Sequence, residues 1–174
     1  MKFNVTILFF TALVLFSCKK TEKFLYSAES DNIYLGYSNS EDDAVIYTFA
    51  YTPGVARDTI WVPVKIAGQR ADHDRTFVIK ELPTTLTGTD AVVAVRGYHF
   101  EQFKSSYVMP KDSGIVHIPI IIYNAGGLDT QSAFLRFQVS GGDGFKTDLP
   151  EKLRTKTLTF SNRLEKPDWW DGWQ

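Results

Sequence analysis

Apolar residues follow two different patterns along this chain. Near the start they form one continuous run from Val5 to Phe16, which Lys2 precedes and Ser17 and Cys18 follow. From about residue 32 onward they recur at every second position, which is the period of a half-buried strand and not of a helix. The first pattern predicts a segment that is processed, and the second predicts a folded β domain.

The apolar run covers 12 residues, too few to cross a hydrocarbon core of roughly 30 Å as a helix but typical of a secretory signal peptide. Its end, Leu15-Phe16-Ser17-Cys18, is similar to the lipobox of bacterial lipoproteins. We therefore predict a signal peptide over residues 1–17 and lipidation of Cys18; a buried core helix with an ordinary cysteine would not account for the charged start. Because two or more lipid chains anchor a protein stably, the predicted partner here is a membrane, reached through a polar tether over residues 18–31.

The alternating region predicts an all-β fold, an immunoglobulin-like antiparallel β-sandwich of about seven to eight strands over residues 32–162. The predicted strands cover residues 33–37, 44–51, 59–66, 76–82, 91–95, 114–123, 132–140 and 155–160. Alternation assigns these side chains to the core: Val45, Tyr47, Phe49, Ile60, Val62, Val64, Ile66, Val116, Ile118, Ile120, Ile122, Ala133, Leu135, Phe137, Val139, Leu158 and Phe160. Pro63 and Pro119 fall on the opposite, polar side and remove a ladder donor, which predicts edge strands or bulges there.

Composition limits the partners and the chemistry. The 157 residues that remain after residues 1–17 suffice for one domain, and the chain is 44% hydrophobic and 14% aromatic. The mature chain would carry 18 basic and 20 acidic residues, a net charge of −2. No basic block follows Lys23, so nucleic acid is not an expected partner. Lipidation would use the only cysteine, so a disulfide, a thiolate metal site and a thiol nucleophile are not expected.

Candidate catalytic and metal-binding residues are few. The chain has no Gly-x-Ser-x-Gly, no His-Glu-x-x-His and no phosphate-binding Gly-rich loop. Asp72-His73-Asp74 reads as a charged hairpin connection between two strands, with a metal or acid–base role as the alternative. His117 reads as a solvated histidine on the outer side of its strand. We therefore predict no catalytic residues, no bound metal and no cofactor.

Acidic residues offer two weaker alternatives. A Gly-rich loop with Asp143, and Asp148 nearby, resembles a calcium loop but misses the spacing that an EF-hand needs. A glycosidase needs two carboxylates at a set separation, and the closely spaced pairs are Asp42 with Asp43 and Asp168 with Asp171. Adjacent acids of this kind usually belong to solvated loops.

The C-terminal tail, residues 163–174, concentrates tryptophan. Trp169, Trp170 and Trp173 follow a proline within a few residues. Indole rings stack on sugars and fill partner pockets, so these three residues are the candidate ligand or partner contacts. The alternative is that the tail covers an open end or edge of the sandwich, where each buried indole would contribute about 2 kcal/mol.

Several motifs carry a resemblance to a family. The stretches 57–68, with Trp61-Val62-Pro63-Val64, and 71–77, 97–101 and 107–110, together with Asp168-Trp169-Trp170, resemble an uncharacterised family of Bacteroidota lipoproteins whose domain has no assigned function. The resemblance covers most of the mature chain. It implies a place beside outer-membrane glycan-uptake systems, and the absence of Asp next to Cys18 is similar to lipoproteins sorted to the outer membrane.

A fainter resemblance links Gly97-Tyr98-His99-Phe100 and the strand over residues 115–123 to Calx-β domains. It implies an immunoglobulin-like architecture. It does not imply their calcium site, because His99 replaces the aspartate of that motif and the later loop offers only Asp129.

Three functions follow as expectations. The first is a non-catalytic, lipid-anchored envelope protein that acts as an interaction or accessory module for an envelope protein or glycan. The second is a carbohydrate-binding module that uses exposed Trp or Tyr rings. The third is a small hydrolase, which would require two carboxylates that converge in a cleft.

Overall fold

The computed structural model describes residues 31–36, 44–86, 88–142 and 144–164. The strands are β1 (Asn32–Leu35), β2 (Ala44–Thr48), β3 (Arg57–Ala67), β4 (Arg75–Glu81), β5 (Ala91–Val93), β6 (Tyr107–Met109), β7 (Ile115–Tyr123), β8 (Ser132–Ser140) and β9 (Thr155–Ser161). A 3₁₀ turn at Phe49–Tyr51 follows β2, and one helical turn, α1 (Glu151–Arg154), precedes β9.

The described strands form two sheets. The small sheet has the order β1-β3-β7, and the large sheet has the order β2-β9-β8-β4-β6, with β5 also paired to β8. The inward faces of both sheets supply the core, and Phe49, Phe77, Phe100, Phe137 and Phe160 are among its fully buried side chains. The predicted all-β sandwich is therefore confirmed.

The predicted alternation holds on the long strands. On β3, Val62 and Val64 are fully buried, while Trp61, which directly precedes Val62, is 60% exposed. On β8 the four predicted side chains all lie in the core. Val45 and Tyr47 on β2 are only partly buried, because β2 lies at the edge of the large sheet.

Local chemistry changes two element predictions. The strand predicted over residues 44–51 ends at Thr48, because the Thr48 Oγ1 accepts a hydrogen bond from the Ala50 N–H at 3.1 Å and caps the 3₁₀ turn. Strand β6 was not predicted, since only three residues form it. Its buried Met109 lies opposite Arg75 of β4.

The Asp72-His73-Asp74 segment is an exposed connection, as predicted, but the predicted hairpin is wrong. Strand β3 belongs to the small sheet and β4 to the large sheet, so the segment crosses from one layer to the other. A hairpin joins neighbours in one sheet, and alternation along each strand cannot distinguish the two connections.

Pro63 and Pro119 both lie on the outer side of the small sheet. Pro119 is on β7, an edge strand in the described sheet. It lies two residues before Ile121, whose carbonyl accepts from the Glu101 N–H at 2.9 Å. The edge prediction is wrong for Pro63, which is on the central β3. The Pro63 carbonyl accepts from the Gly36 N–H at 2.9 Å, so its missing donor falls where the β1 ladder stops.

The first and last described residues lie at opposite ends of the sandwich. Asn32 pairs with Ala67 at the end of β3. At the start of β3, Asp58 bonds to Tyr47, whose strand runs beside the end of β9. We call these the Asp31 end and the Leu164 end. Nine residues of extended β3 separate them, about 30 Å.

Candidate binding surface

A buried ion pair organises the Asp31 end. Arg75 Nη1 donates to Asp31 Oδ2 at 2.6 Å, and the two side chains are only 5% and 14% exposed. Asp31 Oδ1 also accepts from the Gln69 N–H at 2.9 Å, and its carbonyl accepts from the Lys146 N–H at 2.8 Å. The Arg75 guanidinium lies 4.2 Å over the Phe145 ring.

These contacts join four separate segments: the residue before β1, the β3–β4 connection, the start of β4 and the loop after β8. Both oxygens of the Asp31 carboxylate have partners, and its ion pair with Arg75 is buried. Such a pair holds its segments in place, since removing either partner leaves a buried charge without compensation. Asp31, the last residue of the predicted tether, is thus fixed to the folded domain.

At the Leu164 end a tyrosine and a carboxylate join the two sheets. The Tyr47 hydroxyl of the large sheet donates to the Asp58 carboxylate of the small sheet, and the Thr59 N–H donates to the same carboxylate at 2.7 Å. The hydrogen bond from Tyr47, followed by that from Thr59, lowers the pKa of Asp58. Burial, together with the bond to Asp58, raises the pKa of Tyr47. At neutral pH Asp58 therefore stays ionised as the acceptor, and Tyr47 stays protonated as the donor.

His99 is a buried histidine of the same end, 4% exposed. The Val95 N–H donates to His99 Nδ1 at 2.9 Å, which places the proton of the neutral ring on Nε2. Burial lowers the pKa of His99. The ring fixes the tight turn in which Gly97 takes a positive φ of 75°, so its role is structural.

The outer face of the small sheet presents a different surface. We define it by the outward side chains of β3 and β7 and by those of β1 beside them. Trp61 is its most exposed aromatic residue, and Pro119 lies directly opposite on β7. Pro63 and His117 form the next pair, and Lys65 and Ile115 the one after it. The surface combines an exposed indole, two proline rings and polar groups.

A shallow depression of about 380 Å³ adjoins this surface at the Asp31 end. Its lining residues are Tyr34, Lys65, Ile66, Gly68, Arg70, Gly114 and Ile115. Arg70 makes one long hydrogen bond, 3.4 Å, to the Asp112 carbonyl. Neither Lys65 nor Arg70 forms an ion pair within the described ranges. A second depression, about 360 Å³, lies on the large sheet and is lined by Arg136, Glu151, Lys152, Thr155, Lys156 and Thr157.

The site residues predicted from the sequence are mostly outside the described ranges. Cys18 and the three tryptophans Trp169, Trp170 and Trp173 all lie there, as do the acidic pairs at 42–43 and 168 with 171. Lipidation and the role of the tail therefore stay predictions. His73 is exposed with its Nδ1 2.9 Å from the Asp72 carboxylate, and no other described group joins that pair into a site.

Trp61 is the residue that sequence reasoning missed. It belongs to a motif of the family resemblance, but it is not among the candidate contact residues predicted from the sequence. The signal was present, since Trp61 falls between the inward Ile60 and Val62 and so had to face outward. Alternation identifies an exposed tryptophan in mid-strand when each outward position is examined for its chemistry.

The described residues contain neither a cluster of metal ligands nor a helix that could span a membrane. No three side chains among His, Cys, Asp and Glu converge as metal ligands in the part of the chain that the structure describes. In those same ranges, no helix has the length and apolar character needed to cross a bilayer.

The sequence comparison places the chain in a family. Residues 26–174 match the profile described as "Domain of unknown function (DUF4843)". The match covers most of the chain, so the protein belongs to this family, which has no assigned function. No curated protein is significantly similar to the chain.

Solved structures share the fold at low identity. A Bacteroides ovatus protein of unknown function aligns with a TM-score of 0.53 and 18% identity over 76% of this chain and 45% of its own length. The apo form of the Calx CBD1 domain aligns with a TM-score of 0.52 and 12% identity over 78% of this chain and 99% of its own. These likenesses confirm the predicted architecture, including its resemblance to Calx-β domains, while the family is shown by the profile match.

A third similar structure has a descriptive name. It is a Bacteroides ovatus protein provisionally named as carbohydrate binding, with a TM-score of 0.52 and 10% identity over 77% of this chain and 38% of its own. The chain spans less than half the length of either Bacteroides ovatus protein. At such identities the likeness shows the fold alone.

Proposed function

We propose that this protein is a non-catalytic, lipid-anchored module of the outer membrane that presents its β-sandwich to an envelope partner. The observation that carries the proposal is the attachment of the chain at Asp31. The buried pair with Arg75 fixes the first described residue to one end of the sandwich. A lipid on Cys18 would therefore hold that end toward the membrane and leave the outer sheet faces accessible.

The anchor is tested by replacing the predicted lipidated residue. Cys18→Ala is expected to move the protein from the membrane fraction to the soluble fraction, because no lipid can then be attached. Ser17→Ala keeps a small residue at the predicted cleavage site and is the matched control, which should stay membrane-bound. Membrane association of Cys18→Ala equal to that of the parent would contradict lipidation as the tether.

The proposal assigns no catalytic role to the two depressions described above. Of the two depressions, one has Glu151 as its single carboxylate and the other has none. His99 is buried, and its Nδ1 accepts a hydrogen bond from the Val95 N–H. Hydrolysis of polysaccharides by the purified chain, lost when Glu151 is changed to Gln, would contradict this part of the proposal.

A second candidate function is carbohydrate binding. It is favoured by one observation, the 60% exposure of Trp61 in the middle of a flat sheet face. A tryptophan left in water at that position is not required for the core, and indole faces stack on sugar rings. A similar structure named as carbohydrate binding is consistent with this candidate.

A glycan array with the full chain, purified in detergent, tests the second candidate. Binding to at least one glycan above a detergent control is expected. A Trp169/Trp170/Trp173→Ala variant tells whether the tail contributes. If the parent binds no glycan on the array, carbohydrate binding is contradicted while the anchored interaction module is not.

A further inference from the structure

We infer that the outer face of the small sheet is a binding site for an acidic glycan, with Trp61 as the stacking residue and Lys65 and Arg70 as the cationic contacts. The inference deepens the second candidate function and rests on it. It names both the site and the chemical class of ligand, a polysaccharide that carries carboxylate or sulfate groups.

The first step concerns the stacking platform. On β3 the Ile66 N–H donates to the Gly114 carbonyl at 3.1 Å, so the even-numbered positions bond to β7. Trp61 and Pro119 therefore form a non-hydrogen-bonded pair, in which the side chains lie closer together, about 4.5 Å between Cα atoms. The proline ring therefore lies beside the indole, and the exposed part of the indole is accessible to a sugar ring.

The second step concerns charge. Lys65 lies four residues from Trp61 on the same side of β3, about 13 Å away. Arg70 lines the depression next to Lys65. No carboxylate occupies an outward position of β1, β3 or β7, and the exposed Glu101 beside β7 lies near Tyr123 at the Leu164 end. Two cations that form no ion pair with any described residue, beside an aromatic platform, fit a ligand that is both flat and anionic.

The third step distinguishes a glycan from an anionic membrane. Trp61 lies within a flat sheet and not on a protruding loop, so a membrane would have to contact the whole face to reach it. A sugar chain can lie along β3 from the indole to the two cations.

The experiment measures binding of the full chain, purified in detergent, to polygalacturonate by affinity electrophoresis. Carboxyl-reduced polygalacturonate has the same backbone without the charge and is the matched ligand control. We expect the reduced polymer to bind at least about tenfold more weakly than the charged polymer. Binding of the charged polymer should weaken as salt is added. Heparin provides a sulfate-bearing probe.

The variants separate stacking from charge. Trp61→Ala and the double variant Lys65→Gln/Arg70→Gln are each expected to weaken binding about tenfold. Trp61→Phe keeps a ring and should retain part of the affinity. Tyr51→Ala, an aromatic residue that is 67% exposed at the Leu164 end, and Lys80→Gln on β4 are matched controls and should change binding less than about twofold.

Each of the following outcomes would overturn part or all of the inference. Binding to neutral glycans with unchanged affinity in Trp61→Ala would overturn this site and leave carbohydrate binding in place. Equal affinity for charged and reduced polymer would overturn the acidic ligand. Binding to vesicles of anionic lipid without binding to either acidic polymer would overturn the inference in favour of a membrane contact. If no glycan of any kind binds, this inference and the second candidate fail together.

Discussion

Arg70 and Arg75 are five residues apart in the same region of the chain, yet they lie in opposite environments. Arg75 is 4% exposed, paired with Asp31 and stacked on Phe145. Arg70 is exposed and makes one long bond to a backbone carbonyl. The difference teaches that the buried charges of the Asp31 end are paired, whereas Lys65 and Arg70 on the outer face of the small sheet form no ion pair with a described residue.

The same contrast applies to the aromatic groups. Phe145 lies against a cation inside the domain, and Trp61 is 60% exposed on the outside. Changes in the interior should therefore cost stability and spare binding. Changes on the outer face should do the reverse.

The largest effect is expected from breaking the buried pair. Asp31→Ala leaves Arg75 as a buried charge without its partner, which should lower the free energy of unfolding by about 3–5 kcal/mol. Urea denaturation followed by tryptophan fluorescence measures the change. Asp72→Ala removes a carboxylate that is 97% exposed and should change stability by less than about 0.5 kcal/mol. Equal effects of the two variants would show that burial of the pair contributes nothing.

The buried histidine should give the next largest effect. His99→Leu removes the acceptor of the Val95 N–H, and an unsatisfied buried donor costs about 2 kcal/mol. Denaturation at pH 8, where the His99 ring is neutral, isolates this cost. His117→Gln changes an exposed histidine on the outer face and should leave stability unchanged, and a comparable loss in both variants would argue against a structural role for His99.

The lowered pKa of His99 also predicts a pH dependence of stability. Burial lowers the pKa of His99 below its usual 6.5, so between those two values the unfolded chain binds a proton that the folded chain does not. The stabilisation is fully present above pH 6.5 and is lost as the pH falls toward the lowered pKa. His99→Leu should lack this component in denaturation curves across pH 8 to 5, and His117→Gln should keep it. A parent whose stability does not fall in that window would contradict the assignment.

Sequence patterns predicted the layers of this fold better than its polar contacts. Period-two alternation placed Val62, Val64 and the β8 side chains in the core, because burial on one face of a strand requires it. The pattern could not reveal that Asp31 and Arg75 meet, since 44 residues separate them and alternation contains no information on which loops converge. Strand β6 was not predicted because its three residues are too few to show a period.

The candidate site was predictable only in part. The outward position of Trp61 follows from alternation, but the position of Arg70 beside Lys65 depends on how the connection after β3 folds. The tail tryptophans drew attention because three occur within five residues. Local density of a residue type is visible in a sequence, whereas a surface assembled from three strands and a loop is not.

A moderate effect is expected where the two sheets are joined by a hydroxyl. Tyr47→Phe removes the donor to Asp58 at a partly exposed position, which should cost about 1 kcal/mol at neutral pH. Because this bond lowers the pKa of Asp58 below 3.8, its contribution is present above pH 3.8 and is lost as the pH falls through the lowered pKa. Tyr123→Phe, whose hydroxyl lies 3.4 Å from the Glu101 carboxylate, is the control with a weak bond. Urea midpoints that shift equally would contradict the ranking.

The smallest effect on stability is expected on the outer face. Trp61→Ala removes a side chain that is 60% exposed, so the free energy of unfolding should change by less than about 0.5 kcal/mol, although binding of an acidic polymer should weaken about tenfold. Asp31→Ala, studied where it is still folded, should bind that polymer with the affinity of the parent. If Trp61→Ala instead costs as much stability as Asp31→Ala, the indole belongs to the packed structure, and the division between a satisfied interior and an available outer face does not hold.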